Sequence, residues 1–141
     1  VFPDYAVSTK DAYALWDRER PEPAGAAGPG TGGLTNPPFL WQTLAHSVRH
    51  GDARAASGLL FNGLQNTVSL LHPPTSRFCL ALREAGALGT LLSGSGSAVF
   101  GLAGSEEDAH AVRRRLPPGV RSKVVQTLPD GVMAAHGPLV P

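Results

Sequence analysis

Apolar residues recur three or four positions apart through much of the chain, as they do along the buried face of a helix. This spacing predicts helices at 8–18, 38–49, 53–71 and 75–85. A further helix is predicted to run from Ser105 to about Leu116. Ser8 and Ser105 each stand three residues before an aspartate, where a serine hydroxyl can cap the first turn of a helix. We therefore expect helices to begin directly after both serines.

Short apolar runs with the spacing of strands form a second pattern. They predict four strands, at 1–7, 88–93, 97–103 and 120–127. Pro3 has no backbone N–H, so the first run can pair only at a sheet edge or along its opening residues. The order of strand, helices, two strands, helix and strand favours an α+β fold, with helices packed on an antiparallel sheet of about four strands. The ferredoxin-like arrangement is the nearest simple template.

Two segments have no periodicity. Residues 20–37 are rich in proline and glycine and are predicted to form a loop, and residues 128–141 give no clear signal. The loop has the Gly-x-Gly-x-x-Gly spacing of a dinucleotide-binding fingerprint from Gly28 to Gly33. No predicted strand leads into it and a proline interrupts it, so a phosphate-binding role is not favoured there. We expect the domain to span residues 1–127.

Composition narrows the classes of partner and compartment. The 141 residues, 42% hydrophobic and 16% charged, suit one domain with an ordinary core. A net charge of +1 gives no reason to expect a nucleic-acid or membrane partner. The single cysteine, Cys79, excludes an internal disulfide and a cysteine-based metal site, and it favours the reducing cytoplasm. The chain opens on an apolar run without an initiator Met, so we expect it to be part of a longer protein.

Five small residues, from Ser93 to Ser97, separate the two central predicted strands. A hairpin needs only two residues with positive φ, so this run suggests that something approaches the backbone closely. Backbone N–H groups in a glycine-rich turn can form an anion-binding concavity, but a loose hairpin loop is the commoner structure for such a run. Tyr13 lies beside the buried face of its helix, where it either packs on the core or offers its ring to a ligand.

Other candidate residues favour structural roles. His46 and His50 have the four-residue spacing of helical metal ligands, but no third ligand stands near them, so we expect packing or solvated histidines. The sequence has no Gly-x-x-x-x-Gly-Lys-Ser/Thr loop, no Gly-x-Ser-x-Gly elbow and no His-Glu-x-x-His helix. No general base stands next to a nucleophile, so we expect neither a self-contained active site nor a metal site.

The stretch LGTLLSGSGSAVFG, residues 88–101, resembles the third motif of the GHMP kinases, a family named after galacto-, homoserine, mevalonate and phosphomevalonate kinases. VFPDYAVSTKDAY (1–13) and GLLFNGLQNTVSLLHP (58–73) look like the C-terminal half of one branch, the 4-diphosphocytidyl-2-C-methyl-D-erythritol kinases. The resemblance implies a ferredoxin-like C-terminal domain over residues 1–127. It also implies that substrate lies in a cleft between this domain and an N-terminal half.

This resemblance implies transfer of the γ-phosphoryl group of ATP to a hydroxyl of cytidine-diphosphate methylerythritol, in the non-mevalonate route to isoprenoids. Tyr13 falls where the family places an aromatic ring that stacks on cytosine, and Thr9 and Lys10 fall beside it. The residues expected to line the cleft are those of the glycine loop, Gly94, Ser95, Gly96 and Ser97. The family's ATP loop, catalytic Asp and partner Lys lie in its N-terminal half. ATP and Mg²⁺ are therefore expected to bind mainly there, and this chain alone is expected to be inactive.

Two departures from the family pattern leave alternatives open. The usual Gly-Ser-Gly-Pro-Thr is GSGSA at residues 94–98, and the usual Asn-Asp-Leu-Glu is NGLQ at residues 62–65, which weakens polar roles there. Another GHMP kinase is one alternative, and a stand-alone ferredoxin-like module that binds a small ligand is another. A half-protein should expose apolar surface beside residues 94–97, where its other half docks, whereas a stand-alone module should not.

Overall fold

The computed structural model describes residues 1–19 and 38–127. Within these ranges the chain forms six helices and a two-stranded antiparallel sheet. The elements are α1 (Thr9–Glu19), α2 (Pro38–Arg49), α3 (Ala53–Gly58), α4 (Gln65–Leu71), α5 (Pro74–Glu84), β1 (Gly89–Leu92), β2 (Val99–Leu102) and α6 (Glu106–Arg115). The predicted loop at 20–37, with its glycine fingerprint, and the tail at 128–141 lie outside the described residues.

Local capping fixes where two helices begin. The Ser8 hydroxyl oxygen accepts a hydrogen bond from the Asp11 N–H at 3.2 Å, and α1 starts at the next residue. The Ser105 hydroxyl oxygen accepts one from the Asp108 N–H at 3.0 Å, and α6 follows it. Each bond satisfies an N–H that has no partner within the helix. Both predicted helix starts are confirmed.

The single helix predicted over residues 53–71 is wrong. The chain leaves the helix after Gly58 and becomes helical again at Gln65. Between them the Asn62 side-chain oxygen accepts a hydrogen bond from the Leu64 N–H at 2.9 Å. This bond closes a local turn that competes with the helix. This break brings Asn62 to the hairpin, where its side chain bonds to Leu92 and Gly94.

The sheet has fewer strands than predicted. β1 and β2 pair as a hairpin, with Leu92 opposite Val99, but neither 1–7 nor 120–127 contains a strand. Instead, the Val1 and Val99 backbones exchange two hydrogen bonds, of 2.8 and 3.1 Å, and the Phe2 N–H donates to the Arg121 oxygen at 2.9 Å. Pro3 offers no N–H, so the pairing cannot extend along the chain. The α+β class stands, the prediction of about four strands is wrong for the described residues, and the ferredoxin-like template stays a prediction.

The core lies where α5 packs across both strands of the hairpin and α1 packs on α4. α1 contributes Ala12, which has no exposed surface. The buried cluster comprises Ala12, Leu64, Val68, Cys79, Leu82, Ala85, Ala87, Leu92, Val99 and Val112. None of the helices in the described ranges is both long and apolar enough to cross a membrane.

Candidate functional site

A cavity of about 590 Å³ opens between α1, the connection from α3 to α4, and the loop that joins the two strands. Its polar lining comes from Thr9, Asn62, Ser93, Gly94 and Ser95. Its apolar lining includes Tyr13, Phe61, Leu91 and Phe100. A cavity of this size, with an apolar wall and a few polar groups on one side, is typical of a small-molecule site.

Thr9 and Ser95 connect α1 to the glycine loop. Their hydroxyl oxygens lie 2.8 Å apart and share a hydrogen bond, although 86 positions separate them in sequence. Tyr13 follows Thr9 by one helical turn, so it faces the same cavity. Its side chain is 43% exposed. The structure thus brings two of the three predicted substrate-binding residues to the glycine loop, whereas Lys10 is exposed and does not line the cavity.

The four glycine-loop residues do not share one environment. Gly94 and Ser95 line the cavity, and a Cβ on Gly94 would meet nothing within 4 Å. Gly96 faces the domain's own core, where a Cβ would lie 3.0 Å from Leu92 Cδ1 and 3.3 Å from Val7 Cγ2. Ser97 is half-buried and does not line the cavity. The close approach expected at Gly96 is therefore made by residues of this chain.

Asn62 and Gln65 hold the start of the glycine loop. The Asn62 amide nitrogen donates to the Leu92 oxygen at 2.9 Å and to the Gly94 oxygen at 2.7 Å. The Gln65 side-chain oxygen accepts from the Leu92 N–H at 2.9 Å. Sequence reasoning set these positions aside because their pattern lacks the family's carboxylates. The available signal was the resemblance itself, which aligned both residues with a polar motif.

The remaining candidate residues have structural roles. The His46 and His50 rings are tilted by 32° to each other with centroids 4.1 Å apart, and His50 Nδ1 lies 2.9 Å from the His46 oxygen. In the described part of the chain, no group of three or more His, Cys, Asp or Glu residues could hold a metal ion. Burial raises the pKa of the Cys79 thiol, against smaller opposing effects of Arg83 and a hydrogen bond with Thr90. Such a thiol is a poor nucleophile.

A second cavity, of about 430 Å³, lies at the opposite end of the hairpin. Its two carboxylates are already engaged. Asp52 caps α3 by accepting from the Ala55 N–H at 2.9 Å, and Asp108 accepts from the Ser105 hydroxyl at 2.8 Å. These contacts explain the conformation of two helix starts and leave the first cavity as the stronger candidate site.

The chain is also similar in sequence to known proteins. The family model described as GHMP kinases C terminal matches residues 44–119. A 4-diphosphocytidyl-2-C-methyl-D-erythritol kinase of a Synechococcus species is 36% identical over 135 residues, which cover 94% of this chain and 41% of that protein. Another kinase of that name, from Thermobifida fusca, is 35% identical over 136 residues, or 96% of this chain and 38% of that protein.

A third kinase of the same name, from Pelotomaculum thermopropionicum, is 32% identical over 116 residues, which are 82% of this chain and 35% of that protein. The chain thus spans about two fifths or less of the length of these three relatives, between 35% and 41%. The family match covers more than half of the chain, from α2 to the end of α6, and includes the whole hairpin. The chain therefore belongs to the family of GHMP kinase C-terminal domains.

Proposed function

We propose that this chain is the C-terminal part of an ATP-dependent kinase that phosphorylates a hydroxyl of 4-diphosphocytidyl-2-C-methyl-D-erythritol. The observation that carries the proposal is the cavity in which Thr9, Tyr13 and the glycine loop meet. Those are the residues for which the family resemblance implies substrate contact. Relatives that carry this kinase name match almost the full length of the chain, which supports the same substrate class.

Each residue is assigned a role that its chemistry suits. Tyr13 offers an exposed ring on which the cytosine base stacks, an interaction worth about 1–3 kcal/mol per base. Thr9 fixes the distance between that ring and the glycine loop through its bond to Ser95. Lys10, exposed beside Thr9, carries a cation that attracts the diphosphate from outside the cavity. Gly94 and Ser95 form the wall next to the substrate, and Gly96 and Ser97 support that wall from behind.

Phosphoryl transfer also needs groups that this chain is not proposed to supply. Catalysis of this reaction depends on positioning and on electrostatic stabilisation of the transferred group. We assign the binding of ATP and Mg²⁺, and the catalytic residues, to an N-terminal half that packs beside the cavity. Tyr13 and Phe61, 43% and 45% exposed at the cavity, agree with a surface that is covered in the working enzyme. The chain alone is accordingly proposed to be inactive.

A kinase assay tests the proposal. The chain is supplied with ATP and 4-diphosphocytidyl-2-C-methyl-D-erythritol, first alone and then joined to the N-terminal half of a kinase of this family. We expect phosphorylated product only from the joined protein. In that protein, Tyr13→Ala should raise KM for the cytidyl substrate about 10- to 100-fold through the lost stacking, with little change in KM for ATP.

Trp41→Ala is the matched control, because Trp41 is an exposed aromatic residue, 65% accessible, that does not line the cavity. This variant should keep the KM of the unmodified protein. A joined protein that is folded but inactive would contradict the proposed activity. A joined protein that is active but indifferent to Tyr13→Ala would leave the activity intact and remove Tyr13 from the substrate site.

A further inference from the structure

The peptide group of Leu92 is bonded on both sides by side chains of another segment. The Gln65 side-chain oxygen accepts a hydrogen bond from the Leu92 N–H, and the Asn62 amide nitrogen donates one to the Leu92 oxygen, each at 2.9 Å. Leu92 is the last residue of β1 and lies opposite Val99, whose own N–H and oxygen are bonded to Val1 instead. The Leu92 groups would otherwise form an unpaired strand edge. Two amide side chains therefore take the place of a neighbouring strand at this point.

Asn62 is fully committed to this arrangement. Its side-chain amide donates hydrogen bonds to the backbone oxygens of Leu92 and Gly94, and its side-chain oxygen accepts one from the Leu64 N–H. The opposite orientation of the amide would set an oxygen against two carbonyl oxygens, so the contacts themselves fix which atom is nitrogen. A side chain with both donors used in this way positions the loop and has no donor left for a ligand.

The same contacts give the loop backbone a polarity. The carbonyl oxygens of Leu92 and Gly94 bind Asn62, and the Ser93 oxygen accepts the Gly96 N–H at 2.9 Å. Among the described residues, no acceptor is paired with the N–H of Gly94 or of Ser95, and both residues line the cavity. The carbonyl oxygens of the loop are thus bonded within the chain, whereas the N–H groups of Gly94 and Ser95 stay available as donors. Successive free N–H groups in such a turn suit an anion.

We infer that Asn62 and Gln65 are positioning residues that set the glycine loop to receive phosphoryl oxygens at the N–H groups of Gly94 and Ser95. This inference rests on the proposed function, because it presumes that the cavity takes a nucleotide. The phosphoryl oxygens can belong to the cytidine-diphosphate substrate or to ATP. The chemistry that the loop recognises is the same in both cases.

The test is an NMR titration of the joined protein, ¹⁵N-labelled in this chain, with cytidine 5′-diphosphate, and separately with ATP. We expect the amide resonances of Gly94 and Ser95 to shift with one of the two, which also identifies the source of the phosphoryl group. Asn62→Asp keeps the shape of the side chain but loses both donors. It should weaken the Kd about tenfold or more and abolish the two amide shifts.

Asn66→Asp is the matched control, since it adds the same negative charge nearby at an exposed position that does not line the cavity. Its Kd should stay within about twofold of the unmodified chain. Asn62→Ala, which adds no charge, should behave like Asn62→Asp. Gly89→Ala should lower the stability of the chain at a place outside the cavity and leave the Kd unchanged, which separates loop positioning from general destabilisation.

The outcomes distinguish the two proposals. Shifts in the unmodified chain that persist with unchanged Kd in both Asn62 variants would overturn the positioning role and leave the proposed function standing. An equal loss in Asn66→Asp and Asn62→Asp would also overturn it, because charge alone would then explain the effect. A folded joined protein in which the Gly94 and Ser95 amides respond to neither nucleotide would overturn both the positioning role and the nucleotide site.

Discussion

The two ends of the β1–β2 hairpin both carry glycines, but their surroundings differ. At the base, a Cβ on Gly89 would lie 2.8 Å from Ser57 Cβ, and a Cβ on Gly101 would lie 3.0 Å from Ala87 Cβ. At the loop, Gly94 has open space around it but a positive φ of 58°. The base needs glycine for room, whereas the cavity wall needs it for backbone conformation.

Gly96 combines both requirements, although it belongs to the loop. Its φ is 93°, and a Cβ would lie 3.0 Å from Leu92 Cδ1. The loop therefore has an outer part that faces the cavity and an inner part that is packed like the base of the hairpin. The distinction predicts that substitutions at Gly94 and at Gly96, two positions apart, will lower stability for different reasons. Three alanine substitutions separate these causes.

Gly96→Ala should have the largest effect on stability. Alanine at this φ is strained, and its Cβ must displace the Leu92 and Val7 side chains in a packed core. We expect the free energy of unfolding to fall by about 3 kcal/mol. Urea denaturation of the chain, monitored by circular dichroism, measures this loss.

Gly94→Ala is the control for the part of this loss that comes from backbone conformation, since its Cβ meets nothing within 4 Å. Its cost should be about 1 kcal/mol, from the positive φ alone. Equal losses for Gly94→Ala and Gly96→Ala would mean that packing against Leu92 adds nothing, and the division of the loop into outer and inner parts would be wrong.

Gly89→Ala should have the next largest effect, and it isolates the packing part. Here φ is not in the left-handed region, and the obstacle is α3, where both Ser57 Cβ and Ser57 Cα lie within 3.1 Å of the added Cβ. A backbone atom cannot rotate away, so we expect a loss of about 2 kcal/mol in the same denaturation measurement. Gly58→Ala, next to Ser57 and with nothing within 4 Å, should be neutral or stabilising. A loss at Gly58 as large as that at Gly89 would argue against crowding as the cause.

How much of this fold follows from the sequence depends on how local each cause is. The starts of α1 and α6 were predictable because each rests on one serine and the backbone three residues later. The break between α3 and α4 was not, since the apolar spacing continues through it while Asn62 forms a turn that the hairpin stabilises. The strand predicted over residues 1–7 failed for a related reason. Apolar alternation shows which face could be buried but says nothing about whether a partner pairs along its length.

The candidate site divides in the same way. Tyr13 and the glycine loop were singled out from the residues themselves, and the resemblance added Thr9. Their roles in binding stay predictions even though Thr9 and Tyr13 meet Gly94 and Ser95 at one cavity. Asn62 gave no usable signal by itself, because its partners Leu92 and Gly94 lie 30 and 32 positions away. Side chains that support a loop from a distance become visible only once tertiary structure supplies those partners.

Cys79 gives the smallest predicted effect and probes the buried side of α5, behind the hairpin. Burial raises its pKa above the ordinary thiol value of 9.0, so the folded chain keeps a proton that the unfolded chain loses as the pH rises. The unfolded state then binds fewer protons, and stability must fall from about that pH upward. Denaturation from about pH 7 to about pH 10 should show this decline in the unmodified chain and a flatter profile in Cys79→Ala. Identical profiles in the two proteins would mean that the thiol titrates in the folded state as it does in the unfolded one, and that α5 does not seal this side of the hairpin from water.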